Sequence, residues 1–180
     1  RGLINSAIKR HASGHERKHT WNRKSRRFGT KAPGTKIGDL PKLSFYIDTS
    51  GSISIEEANE FLDIVDNFLK VGSRKCRLNL FSDNNYYSEE YKLGQRLDRG
   101  MIKMGGTCLE DSCRNIANTK PDLAVFLTDG CYGDVQVEQW LAASQKFPQC
   151  LFIISKGGTT EHPLKRLGET IQVPVEMKRK

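Results

Sequence analysis

Leu43-Ser-Phe-Tyr-Ile-Asp48-Thr-Ser50-Gly-Ser52 decides how the rest of this chain is read. Leu43 to Ile47 is a short run rich in β-forming residues, which predicts a buried strand. The chain then turns at Gly51. Apolar residues recur at Ala58, Phe61, Leu62, Val65, Phe68 and Leu69, which is helical spacing over Ile55 to Val71. Ser54 suits the N-cap, Glu56 and Glu57 suit the first turn, and Gly72 ends the pattern. A carboxylate and two serine hydroxyls thus gather where a strand feeds a helix. In open α/β sheets, ligands sit outside the carboxyl ends of the strands. One carboxylate with two neutral oxygen donors suits a hard divalent cation, Mg²⁺ in particular. The same residue types also cap helices and make turns, so the motif needs partners elsewhere in the chain.

Those partners follow in order. Cys76 to Ser82 reads as a second strand, Asp83-Asn-Asn as a turn, and Tyr86 to Leu93 as an antiparallel edge strand. Met104-Gly105-Gly106-Thr107 places a hydroxyl on a glycine-rich loop before a helix over Leu109 to Asn118, stopped before Pro121. Leu123-Ala-Val-Phe-Leu-Thr128-Asp129-Gly130 is another apolar strand that ends in a carboxylate. Val135 to Lys146 is helical in pattern, Cys150 to Ser155 is a strand, and Pro163 opens a short helix to Leu167. Ile171 to Glu176 reads as a last strand, at an edge because Pro174 cannot donate to a ladder. Strands alternating with helices predict an α/β fold with a mainly parallel sheet covered on both faces. There is no internal repeat.

The spacing Asp48-x-Ser50-x-Ser52, then Thr107, then Asp129 followed by Gly130, resembles the metal-ion-dependent adhesion site of von Willebrand factor A domains. The resemblance covers residues 42 to 180. It implies a Rossmann-like sheet and an Mg²⁺ or Mn²⁺ ion held by Asp48, Ser50, Ser52, Thr107 and Asp129. It implies protein binding rather than catalysis, with an Asp or Glu of the partner completing the coordination. Several prokaryotic members of the family work beside AAA+ ATPases. The lead-in Thr20-Trp21-Asn-Arg23-Lys-Ser25-Arg26-Arg27 is similar to that of a prokaryotic and phage group in which the domain follows a metallopeptidase domain. The chain opens on Arg1 rather than Met, which fits a segment of such a longer protein. One departure stands at Cys108, where the family often has an acidic residue after the loop threonine.

Charge divides the chain. Of its 29 Lys or Arg and 21 Asp or Glu, residues 1 to 36 hold eleven and one, leaving 18 and 20 for the remainder. Residues 1 to 41 therefore read as a basic N-terminal extension or linker, and 42 to 180 as the domain. No apolar stretch reaches the roughly 18 residues that span a bilayer, and no secretory signal opens the chain. The five cysteines are odd in number and form no Cys-x-x-Cys pair, which points to a reducing, cytoplasmic setting.

Three further readings compete. A phosphohydrolase of the haloacid dehalogenase type would use Asp48, Ser82, Lys103, and Asp129 with Asp134. That chemistry wants a second aspartate at position 50, where Ser50 offers no acid group. His15-Glu-Arg-Lys-His19 is formally a zinc-protease signature, and on a helix His11 would join it. The inner Arg17 and Lys18, and the lack of an apolar face, leave that helix unburied and the site without a fixed surround. Finally, the extension offers Arg17, Lys18, Arg23, Lys24, Arg26 and Arg27 to phosphates and Trp21 to a base, so it could bind nucleic acid or another polyanion. The plain alternative is an arm packing on the acidic domain or on a partner.

Overall fold

A computed structural model describes residues 6, 17–37, 42–71, 75–92, 95, 105–132 and 147–173. Within them the chain runs β1 (Arg17–Ser25), β2 (Gly29–Ile37), β3 (Leu43–Asp48), α1 (Ile55–Val71), β4 (Lys75–Phe81) and β5 (Asn85–Lys92). It continues with α2 (Glu110–Thr119), β6 (Leu123–Thr128), β7 (Gln149–Ile154), a 3-10 helix (Pro163–Leu167) and β8 (Gly168–Gln172).

Six strands form one sheet in the order β5-β4-β3-β6-β7-β8. β5 runs antiparallel to β4, and every other neighbouring pair is parallel. This is the α/β architecture that the sequence predicts, with β5 as its antiparallel edge. From β3 the chain moves to β4 on one side, and it later resumes at β6 on the other. The crevice between the carboxyl ends of β3 and β6 is therefore a topological switch point, the place where such sheets bind ligands.

Alternation along the strands sorts the core into two layers. Leu43, Phe45, Ile47, Val125, Leu127 and Ile153 pack on the face that carries Phe61, Val65 and Phe68 of α1. Tyr46, Phe126 and Phe152 occupy the other face with Leu109 and Ile116. Their rings stack in a row, with centroids 4.9 Å and 5.1 Å apart. β3 and β6 are buried at every residue, which is why both read as unbroken apolar runs rather than alternating ones. The polar Asn79 inside β4 is satisfied by donating through Nδ2 to the Phe45 carbonyl at 2.9 Å. α1 starts on a reciprocal cap: Glu57 N–H donates to Ser54 Oγ at 3.2 Å, and Ser54 N–H donates to Glu57 Oε2 at 3.1 Å.

The last strand differs from expectation. It runs over Gly168–Gln172 and pairs Cys150 with Gly168 through Ile154 with Gln172, so its extent follows that of β7. Pro174, the residue expected to mark that edge, lies outside the described residues, as does the helix expected over Val135 to Lys146. β1 and β2 differ more: the basic extension contains an antiparallel hairpin, forming a separate two-stranded sheet. All five cysteines are free, and burial pushes the thiols of Cys76, Cys113 and Cys150 up to about 12.

Candidate metal centre

Asp48, Ser50 and Ser52 follow β3 at the switch point, and Asp129 follows β6 beside them. Asp48 ends β3 and is fully buried. Its Oδ1 accepts the Ser50 N–H at 2.9 Å, a turn closed by the motif itself. Its Oδ2 accepts the Thr128 hydroxyl at 2.7 Å, across the switch point from the end of β6. Ser50 is buried and Ser52 exposed, and their hydroxyl oxygens lie 3.0 Å apart. Two hydroxyls at that separation can present both oxygens to one small cation. Asp129 follows β6, is 7% exposed, and takes the Cys131 N–H on Oδ1 at 2.8 Å.

The glycine-rich loop is stitched to this cluster from both sides. Gly51 N–H donates to the Gly105 carbonyl at 2.7 Å, tying it to the loop after β3. Gly106 N–H donates to Asp83 Oδ1 at 2.6 Å, and Cys108 N–H donates to the Ser82 carbonyl at 2.7 Å. Thr107 is half-buried between these two anchored positions. Among the described residues, no hydrogen bond joins its hydroxyl to Asp48, Ser50 or Ser52. The loop is brought to the site by its backbone.

Electrostatics favour a cation here. Burial, aided by the charge of Asp129, holds the Asp48 carboxyl above the usual carboxylate range, against the hydrogen bonds from Thr128 and Ser50. Among the described residues neither aspartate forms an ion pair with Lys or Arg. Two close carboxylates, at least one wholly desolvated, are costly without a positive partner. No cluster of three His, Cys, Asp or Glu side chains occurs among the described residues. The cluster offers oxygen atoms from Asp48, Asp129 and neighbouring hydroxyls, the donor type that hard divalent cations prefer.

Two supporting residues escaped the sequence reading. Thr128 lies inside an apolar strand and gains a role only because β6 pairs beside β3. Asp83 reads as a turn residue, yet its carboxylate anchors the loop that carries Thr107. Two acids near the loop, Glu110 and Asp111, sit in the first turn of α2, with Asp111 3.7 Å from Arg114. Other sequence-predicted residues fall elsewhere. Lys103, Asp134, His11, His15 and Glu16 lie outside the described residues. His19 belongs to strand β1, so the helical spacing that a zinc-protease signature needs is absent at its second histidine. Trp21, Arg23, Lys24, Arg26 and Arg27 fall on the hairpin and its turn, far in sequence from the aspartates. The backbone of Arg17 and Lys18 belongs to the same strand.

No protein-family model matches the chain, and no curated protein does. Solved structures do match, among them the ArnB paralog VWA2 from Sulfolobus acidocaldarius, at 19% identity and a TM-score of 0.49. The match covers 73% of this chain and 41% of that one, so this chain spans less than half the length of that protein. At that likeness the site rests on its own geometry.

Proposed function

We propose that this chain is an Mg²⁺-dependent protein-binding module of the von Willebrand A type, which takes an acidic side chain from a partner protein. The observation that carries the reading is the Asp48–Asp129 pair. Both carboxylates lie at the carboxyl ends of strands flanking the switch point, with adjacent serine hydroxyls and no cationic side chain paired to them among the described residues. Asp48, Ser50, Ser52, Thr107 and Asp129 would hold the ion. A bound Mg²⁺ would supply an electrophilic centre, because three of those five donors are neutral. Ser52 is exposed, so the site has a side open to a partner.

Binding, not turnover, fits these residues. Position 50 carries a hydroxyl whose oxygen is engaged by Ser52, not the acid a phosphohydrolase needs. The partner is an Asp- or Glu-bearing protein, and the resemblance makes an AAA+ ATPase the first class to try. Calorimetric titration with MgCl₂ and MnCl₂ tests the ion site: wild type should bind one ion and Asp48→Ala none. Equal affinity in the two proteins would sink the assignment. A partner captured with Mg²⁺ should be released by EDTA, and a partner retained in EDTA would show that recognition lies away from the site.

A further inference from the structure

We propose that the β1–β2 hairpin is a binding site for single-stranded nucleic acid, independent of the metal centre. Residues 17 to 37 contain eight Lys or Arg and no Asp or Glu. Among the described residues none of Arg23, Lys24, Arg26, Arg27 and Lys31 is in an ion pair. Unneutralised charge at that density calls for a polyanion.

The backbone explains how the hairpin presents aromatic rings together with that charge. Thr20 pairs with Gly34 and Lys24 with Pro33, so Trp21, Asn22 and Arg23 bulge from β1 with no residue opposite. The Asn22 N–H donates to Thr20 Oγ1 at 3.2 Å at the start of the bulge. The bulge carries the Arg23 carbonyl against β2: a Cβ on Gly34 would lie 2.5 Å from it, so only glycine allows that approach. Trp21, thus displaced from the ladder, is 73% exposed. At the tip, Ser25 Oγ accepts the N–H groups of Arg27 and Phe28, both at 3.3 Å. Phe28 is 59% exposed, with the Arg27 guanidinium 5.5 Å from its ring centroid. A concavity between bulge and tip is lined by His19, Arg23, Lys24, Arg26, Phe28 and Pro33.

Trp21 and Phe28 are two of the three large apolar side chains most exposed in the described structure, and both lie on this hairpin. Exposed rings interleaved with arginines favour unpaired bases over duplex, because a ring can stack only on a base face that is free. Heparin or a phosphorylated protein would satisfy the cations and leave the rings idle.

The test is fluorescence anisotropy of the full chain with labelled oligo-dT, oligo-U, a duplex of the same length, and unlabelled heparin as competitor. Single strands of either sugar should bind more tightly than duplex, and the oligo-dT and oligo-U arms separate DNA from RNA. Log affinity against log salt should slope at about −3.5 if five cations each meet one phosphate. Arg26→Ser with Arg27→Ser should flatten that slope by about 1.4. Trp21→Ala should weaken binding about tenfold with the slope unchanged, and Trp21→Phe should restore most of it. Circular dichroism and Mg²⁺ binding should be unaltered in each variant. Equal affinity for duplex, or full affinity in Trp21→Ala, would reduce the hairpin to a polyanion patch and overturn the proposal. So would binding that survives the arginine substitutions.

Discussion

Asp48→Asn should make the metal-free protein more stable and blind to metal at the same time. Asp48 is wholly buried, and Asp129 adds a second negative charge close by. The Ser50 N–H and the Thr128 hydroxyl offset part of that cost. An asparagine of the same shape keeps Oδ1 as acceptor for Ser50. Its Nδ2 then faces Thr128 Oγ1, which already accepts the Gly130 N–H and now accepts a second bond. The Ser50 bond is kept and the buried charge is gone, at the cost of the acceptor for the Thr128 hydroxyl proton. Relief of functional strain of this kind commonly stabilises by roughly 0.5–2 kcal/mol. For a chain of this size that is about 2–4 °C in Tm per kcal/mol. Wild type, in contrast, gains about 2.7 kcal/mol from Mg²⁺ at 100 times its Kd. The order of stabilities should therefore invert: the variant melts above wild type in EDTA and below it in saturating Mg²⁺. Scanning calorimetry in the two buffers reads both halves. A variant that melts well below wild type in EDTA would show that the negative charge itself caps the β3 turn. An Mg²⁺ shift as large in the variant as in wild type would place the ion elsewhere.

Asp83→Ala should weaken Mg²⁺ binding about tenfold while leaving Tm nearly unchanged, as loss of an outer support does; calorimetric titration checks it, and unaltered affinity would show that the Gly106 contact does not position Thr107. Gly130→Ala should destabilise by about 2–4 kcal/mol in urea unfolding, because φ is +78° and a new Cβ would meet the Thr159 carbonyl. Mg²⁺ affinity should fall as pH is lowered, since Asp48 is held above its ordinary 3.8 and a proton competes with the ion. The metal-free protein should show the opposite sense: its folded form holds a proton that the unfolded chain has released, so its stability declines as pH rises through the folded pKa. Titrations at several pH values, and melts in EDTA over the same range, test the pair.

The sheet was legible because its central strands are buried on both faces. Leu43 to Ile47 and Leu123 to Leu127 have no polar face to interrupt them, and an unbroken apolar run bounded by Asp and Gly has few other readings. α1 announced itself through helical spacing and the Ser54–Glu57 cap. The hairpin was not legible for the converse reason. Its strands carry charge and polar groups where a core would demand alternation, and the bulge at Trp21 to Arg23 breaks the period again. Of residues 19 to 34 only Gly34 is buried, and strands held by their ladder and turn leave no hydrophobic trace. The last strand was displaced by a few residues because its ends are fixed by pairing with β7, which no local pattern encodes.

At the site, the candidate residues could be named from sequence and their supports could not. Asp48, Ser50 and Ser52 are neighbours in sequence, so their chemistry is visible together. Thr128 is 80 residues from Asp48, and their contact is created by register. Ile47 pairs with Leu127, so the next residues on each parallel strand meet at the same level. That register sets the Thr128 hydroxyl against Asp48 and brings Asp129 to the rim one residue later. Asp83 acts in the same way from the other flank, because Asp48 pairs with Phe81 and the loop after β4 must emerge beside the metal motif. The parallel sheet thus converts three unrelated strand endings into one cluster. Its supporting residues are whatever side chains stand one or two positions beyond the paired ends. Once the strand order is known, those positions can be read directly, and they are where substitutions should tune metal affinity without touching a ligand.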